Sequence, residues 1–225
     1  MYPIFAIVIV GAYLLGSIPF GVIIAKAHGK DLRKIGSGNI GATNVARALG
    51  KKWAYICFVL DVLKGMIPML AVMPLATSKS AQDNEVAVLL LWLAVGCAAI
   101  LGHIFPVYLK FKGGKGVSTS FGIALGLWPY YSICALVAIA VWIAVVLIWR
   151  YVSLASIVAS ISFPVALITM IFLQSDWEFS VLWPLLIPAV VIPVMVIIRH
   201  RENIKRLLAG TENKIREKET HKSTN

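Results

Sequence analysis

Apolar residues run along this chain in long unbroken stretches, not in helical stripes or alternations. A helix that crosses a bilayer needs about 20 mostly apolar residues. The segments 4–25, 53–76, 86–108, 151–173 and 181–198 each meet that length and predict five spanning helices. In the first, Ala25-Lys26-Ala27 resembles a signal cleavage site. No basic residue precedes it, and its apolar run outlasts a signal core, so it is read as a retained helix.

The stretch 116–149 carries no charge at all. As one helix it would be about 50 Å long, well over the hydrocarbon thickness. A hairpin of two shorter helices, turning near Trp128-Pro129, removes the problem. Seven spans follow, with a short first arm; five spans plus a re-entrant hairpin is the alternative, with the same sides. The fold class is therefore an all-α polytopic membrane protein. Residues 1–210 form a single membrane domain, and 211–225 read as a solvated polar tail. No internal repeat is visible.

Composition agrees. Of the 225 residues, 60% are hydrophobic and 14% charged, with a mean hydropathy of +0.86. A soluble domain is nearer half apolar and a quarter charged. Water-soluble enzymes, disordered chains, coiled coils and secreted disulfide scaffolds are excluded. Cys57, Cys97 and Cys134 all lie in apolar stretches and read as small buried residues.

The net charge of +11 would suit nucleic acid in a soluble protein, but its distribution points elsewhere. Of 21 basic residues, seven lie between Lys26 and Lys52, three between Lys110 and Lys115, and eight after Ile198. The loops 77–85 and 174–180 are acidic by comparison, with Asp83, Glu85, Asp176 and Glu178 against Lys79. Basic segments stay in the cytoplasm. The N-terminus is then outside and the C-terminus inside, and no nucleic-acid partner is needed.

Three basic segments also carry chemistry. The first, Gly36-Ser37-Gly38-Asn39-Ile40-Gly41-Ala42-Thr43-Asn44-Val45-Ala46-Arg47, matches GxGxxG formally, without the strand–turn–helix context of a dinucleotide site. Its glycines can turn backbone amides toward one point as an anion-binding nest. Ser37, Asn39, Thr43 and Asn44 add neutral donors, and Arg47 adds a forked charge suited to phosphate. The plainer reading is a Gly/Asn turn between two helices.

The second segment is Gly102-His103-Ile104-Phe105-Pro106, followed by Phe111-Lys112-Gly113-Gly114-Lys115-Gly116-Val117-Ser118-Thr119. It is not a Walker A loop, because Leu109 and Gly116 stand where that motif needs glycine and a hydroxyl residue. Gly-Gly-Lys-Gly opening a helix still gathers amides, a helix N-terminus and a lysine. His103 alone is more simply a structural hydrogen-bonder, and no spacing suggests a zinc site.

In the third, Arg199 to Leu207, His200 and Asn203 share one helix face, where Arg199 and Arg206 can join them. An interfacial basic helix is the plainer alternative. Asp61 and Lys64, inside the second span, read as a pair bracing the first loop, ahead of catalysis. Ser153 and Ser156 begin the sixth span on the cytoplasmic side. Three phosphate-friendly loops at one leaflet suit a substrate with an anionic head and an acyl tail.

These motifs, with Gly16-Ser17-Ile18-Pro19, Asp61-Val62-Leu63-Lys64-Gly65 and Gly210-Thr211-Glu212, resemble the bacterial acyl-phosphate:glycerol-3-phosphate acyltransferase family over nearly the whole chain. The resemblance implies a seven-helix enzyme of the bacterial inner membrane, with its site facing the cytoplasm. It would transfer an acyl group from acyl phosphate to the 1-hydroxyl of glycerol 3-phosphate, giving lysophosphatidic acid and phosphate. That is the first acylation of phospholipid synthesis. No metal or organic cofactor is implied; the partners are the two substrates, membrane lipid and an upstream phosphate acyltransferase.

By the resemblance, Ser37, Arg47, Lys115, His200 and Asn203 are the catalytic set, with Ser153 beside them. Gly38, Asn39, Gly41, Thr43, Asn44, His103, Lys112, Gly113, Gly114 and Gly116 complete the substrate-binding set. Arg47 and Lys115 are assigned to phosphate, His200 and Asn203 to orienting glycerol phosphate. The general base is either His200 or the phosphate of the donor. An anion or lipid transporter is the competing class, disfavoured because Lys79 is the one basic residue placed outside.

Overall fold

The computed structural model describes residues 1–215, apart from the side chains of Ser80 and Gln82. Its α-helices are α1 (Tyr2–Ser17), α2 (Phe20–Ala27), α3 (Ala42–Leu49), α4 (Lys51–Ala76), α5 (Glu85–Ile104) and α6 (Val117–Gly126). They continue with α7 (Ser132–Trp149), α8 (Val152–Leu173), α9 (Phe179–Leu182), α10 (Leu186–Arg199) and α11 (Arg201–Leu208). The five spans expected from apolar runs each fall on one helix or one helical run. Among the described residues six stretches are long and apolar enough to cross a membrane, Ser132–Trp149 being the sixth.

The uncharged stretch divides as its length requires, into α6 and α7 around a turn at 127–131. α6 has ten residues, about 15 Å of helix, or half the hydrocarbon thickness.

The first span breaks at Ile18-Pro19, where proline cannot supply an amide. Lys64 Nζ donates to the Ile18 carbonyl at 2.9 Å and lies 2.7 Å from Asp61 Oδ1. The two charges within α4 do pair. What Lys64 braces, however, is this break and not the first loop, which corrects the expectation from sequence.

Lipid offers no hydrophobic drive between helices, so close backbone packing at small residues joins them. A Cβ at Gly16 of α1 would sit 2.1 Å from the Ala99 carbonyl oxygen of α5. At Gly122 of α6 it would sit 2.0 Å from the Val62 oxygen of α4. α7 and α8 pack as an antiparallel pair, and α10 lies against α8. The main buried cluster runs from Phe5, Met69 and Trp92 through Ile123 and Tyr131 to Leu167 and Leu185. A smaller one, with Leu32, Val45 and Cys57, supports the first loop.

The three cysteines are unpaired, with Cys57 and Cys134 buried, as their apolar context implied. Of the expected solvated tail after Gly210, Thr211 and residues 213–215 are exposed, but Glu212 is buried. Gly210 adopts φ +70°, its amide bonds the Leu207 carbonyl and the Thr211 amide bonds that of Arg206. This is a Schellman turn. It sends the chain back over the bundle, where the Ile215 amide reaches the Arg150 carbonyl at 2.9 Å and Glu212 is buried. The rest of the expected tail, 216–225, lies outside the described residues.

Candidate active site

A cavity of about 270 Å³ opens among the first loop, the start of α6, the start of α8 and the α10–α11 corner. Its mouth is polar. Its depth, between α6, α7, α8 and α10, is lined by aromatic, proline and alanine side chains with a few serines.

In the first loop Gly36 and Gly38 take positive φ values of 56° and 66°. A Cβ at Gly36 would also lie 2.5 Å from Asn44 Oδ1. Asn44 is buried, and its amide nitrogen donates to the carbonyls of Leu32, Ile35 and Asn39 at 2.9–3.0 Å. Its oxygen accepts the Ser37 amide at 3.1 Å. Asn44 therefore staples the loop, and its hydrogen-bonding groups are engaged there instead of facing substrate. Asn39 Oδ1 accepts the Gly41 amide at 2.9 Å. The outcome is a fixed loop with Ser37, Thr43 and Arg47 exposed at the cavity mouth.

The second loop departs from the sequence expectation. The amides of Gly113 and Gly114 bond the carbonyls of Ile104 and His103, at 3.1 Å each, and so cap α5. A Cβ at Gly114 would be 2.2 Å from His103 Nε2. Arg199 of α10 grips the far side, donating to the Gly113 and Gly114 carbonyls at 3.0–3.2 Å. These two glycines are packing residues, not part of an open amide nest. Lys112 is exposed, and its carbonyl accepts Arg33 Nη2 at 3.1 Å.

The part of this segment that lines the cavity is the start of α6, whose first turn begins after Gly116. Val117 and Ser118 line the wall there with no side-chain cap at the helix end. A helix N-terminus leaves such amides without intrahelical partners and carries partial positive charge.

Lys115 stands beside them, and its Nζ donates to Asn203 Oδ1 at 2.5 Å. Burial pushes its pKa down to about 8, against the pull of the Glu212 carboxylate and with repulsion from Arg206, Arg47 and Arg199. At the α10–α11 corner His200 and Asn203 are both buried and line the cavity, as their spacing predicted. His200 Nδ1 donates to the Val196 carbonyl at 2.7 Å. Since a carbonyl only accepts, the proton is on Nδ1 and Nε2 carries the lone pair. Burial above all, then the Lys115 charge, lowers its pKa to about 4, leaving the ring neutral at pH 7.

Sequence reasoning missed Glu212. Its Oε1 accepts from Ser153 Oγ at 2.9 Å and from Asn203 Nδ2 at 2.6 Å, and its Oε2 accepts from Arg206 Nε at 2.6 Å. Burial raises its pKa, but these three donors outweigh that and hold it below the usual carboxylate range. One carboxylate thus fixes Asn203, and through it Lys115. Asp61 was also passed over as a wall residue. It lines the cavity beside His103, whose Nδ1 lies 3.8 Å from Asp61 Oδ1 and has no hydrogen-bond partner among the described residues.

The profile of the family described as glycerol-3-phosphate acyltransferase matches residues 6–210. This chain belongs to the glycerol-3-phosphate acyltransferase family. Similar proteins of that name in Geotalea daltonii and Aquifex aeolicus are 45% and 46% identical, over 208 and 207 residues. The matches cover 92% of this chain and 95% and 96% of theirs. It also resembles a crystal structure of PlsY (YgiH), an integral membrane glycerol 3-phosphate acyltransferase, in its glycerol 3-phosphate form. That likeness has a TM-score of 0.78 at 42% identity, covering 94% of this chain and 96% of the other. The lysophosphatidic acid form gives a TM-score of 0.75.

Seen as an acyltransferase, the chain brings most of its sequence-predicted residues to one cavity. Ser37, Asn39, Gly41, Thr43, Asn44, Arg47, His103, Lys115, Gly116, Ser153, His200 and Asn203 all line it. Gly38, Lys112, Gly113 and Gly114 do not. They shape the two loops from behind. Arg206 pairs with Glu212, and Arg199 holds the second loop, so neither acts as a spare phosphate clamp. The competing transporter class gives way to the family assignment.

Proposed function

We propose that this glycerol-3-phosphate acyltransferase takes its acyl group from acyl phosphate. The observation that carries the reading is a single cavity whose cationic mouth continues into an apolar shaft. A phosphate head at the mouth with its acyl chain in the shaft brings the acyl carbonyl to the α6 N-terminus. The glycerol 1-hydroxyl attacks that carbonyl carbon, and the amides at Val117 and Ser118 stabilise the oxyanion. Collapse breaks the bond from the acyl carbon to the phosphate oxygen. Phosphate leaves with the electron pair while Arg47 and Lys115 offset its charge. His200 and Asn203 orient glycerol phosphate, and the buttressed His103 forms part of the wall.

The hydroxyl proton goes to the donor's own phosphate. His200, with a pKa of about 4, is the weaker base. As the bond to the acyl carbon breaks, the donor's phosphate gains negative charge and with it basicity, so it becomes a better proton acceptor just when the hydroxyl releases its proton. Ser37, Thr43 and Asn39 at the first loop supply neutral donors to phosphate oxygens.

Seven crossings, the N-terminus outside, a cytoplasmic C-terminus and a site facing the cytoplasm of a bacterial inner membrane complete the proposal. The concentration of basic residues in the loops at the cavity mouth supports these sides. Tyr130 of the 127–131 turn lies against Trp177 of the acidic loop, ring centroids 5.3 Å apart. That contact supports a turn reaching the outer surface, and so a full crossing by the α6 arm. An upstream phosphate acyltransferase would supply the donor.

Donor use is tested by offering membranes labelled glycerol 3-phosphate with hexadecanoyl phosphate, hexadecanoyl-CoA or hexadecanoyl acyl carrier protein. Label should enter lysophosphatidic acid with the first alone; efficient transfer from either thioester would sink the donor assignment. For topology, cysteines at Trp128→Cys and Ser175→Cys should both react with an impermeant maleimide applied from outside. Labelling at position 128 only after permeabilisation would argue for a re-entrant hairpin.

A further inference from the structure

The shaft below the reaction site ends in a built wall. Its depth follows from two helices independently. On α8, Ser153 is at the mouth and Phe163 at the far end, ten residues on, or about 15 Å. On α10, His200 is at the mouth and Pro188 lies twelve residues deeper, or about 18 Å. Between these levels the wall carries Ala124, Ala135, Ala138, Ala159 and Ala189, whose short side chains leave a slot.

At the bottom Tyr131 is 2% exposed, and its hydroxyl donates to the Leu185 carbonyl. Its ring meets Phe163 edge-on, with centroids 5.1 Å apart and planes at 88°. Behind it Leu127, Cys134 and Leu185 are fully buried. A tyrosine fixed at both its ring and its hydroxyl is a stop, not a flexible plug. Ala135 lies one helical turn from Tyr131, on the same face and directly above the stop.

We infer that Tyr131 and Phe163 are the specificity-determining end of the acyl chamber and set the longest chain that the enzyme transfers efficiently. The inference rests on the acyl-phosphate reading above. Chains that reach the wall gain contact with every added methylene. A chain one step longer must bend or displace Tyr131 and loses that gain.

The test uses the full-length enzyme in lipid with saturated acyl phosphates from dodecanoyl to eicosanoyl, reading kcat/KM for each. Phe163→Ala deepens the slot, and Ala135→Leu fills it one turn higher. Each misfitted or newly fitted methylene in an apolar pocket changes kcat/KM by about tenfold or more. Phe163→Ala should therefore raise the ratio of the longest chains to the wild-type optimum about tenfold. Ala135→Leu should lower it by a similar factor. Ratios within one variant do not depend on how much of it is folded. If one variant yields no active protein, the shift in the other decides.

Wild-type chain ratios in the variants would overturn the inference while leaving the donor reading intact. Failure of the wild-type enzyme to transfer from any acyl phosphate would overturn the donor reading and this inference with it.

Discussion

Replacing Glu212 with glutamine tests whether one buried carboxylate organises the cationic mouth. The change keeps the side chain's shape and removes its charge. Ser153 and Asn203 both donate to Oε1, so a glutamine oxygen placed there keeps those two bonds in neutral form. The exchange from charged to neutral acceptor costs about 1 kcal/mol for each bond. The new amide group then faces Arg206 Nε, donor against donor, where a 2.6 Å ion pair stood. Arg206 is 35% exposed, so water screens that pair and its loss adds at most about 1 kcal/mol.

The sum is about 2–3 kcal/mol, or roughly 30- to 150-fold in the ratio of docked to undocked 210–215 segment. Turning the glutamine the other way pairs Arg206 but sets its amide against Asn203 Nδ2. Asn203 must then flip and withdraw the oxygen that receives Lys115. Hydrogen exchange of the Ile215 amide, which bonds the Arg150 carbonyl, should quicken in Glu212→Gln by about that factor. The alkaline limb of activity should move to lower pH as well, because the carboxylate raises the Lys115 pKa. Wild-type exchange at Ile215 together with a wild-type pH profile would refute the account of this carboxylate.

Other consequences follow from the same geometry. Lys115, with its pKa near 8, is charged below that pH and loses its charge as pH rises through it. The kcat/KM for acyl phosphate, whose phosphate Lys115 holds, should therefore fall above about pH 8, approaching tenfold per pH unit. Lys115→Arg should remove that limb while lowering the maximal rate, since a fork is not a point charge; titration of kcat and kcat/KM against pH checks both. Gly122→Ala pushes a Cβ to 2.0 Å from the Val62 carbonyl oxygen, where only backbone can yield. It should cost about 1–3 kcal/mol, seen as faster thermal inactivation in detergent. Asn44→Ala removes the staple of the first loop, and the KM for glycerol 3-phosphate should rise more than kcat falls.

The long apolar runs, the charge asymmetry and the uncharged stretch with its turn near Pro129 were legible along the chain, because membrane crossing constrains composition directly. His200 and Asn203 were legible because helical spacing fixes which residues share a face. Gly113 and Gly114 were misread. A glycine pair beside a lysine looks the same whether its amides face a ligand or cap a neighbouring helix, and the apposition of His103 decides which. Asn44 carried the same ambiguity, since asparagine both binds substrates and staples turns. Glu212 was lost to the tail because its burial depends on a chain reversal. The signal was present: glycine at position 210, just past a short helix, marks a Schellman turn that folds the next residues back.

The central claim is that one cavity couples acyl-phosphate cleavage to acylation of glycerol 3-phosphate. The most direct test is to measure phosphate release and lysophosphatidic acid formation together, by purified protein in lipid, with and without acceptor. The account predicts equal amounts of both products, only when glycerol 3-phosphate is present, and loss of both in Arg47→Ala and Lys115→Ala. Phosphate release without acceptor at the same rate, or lipid product without phosphate, would contradict it.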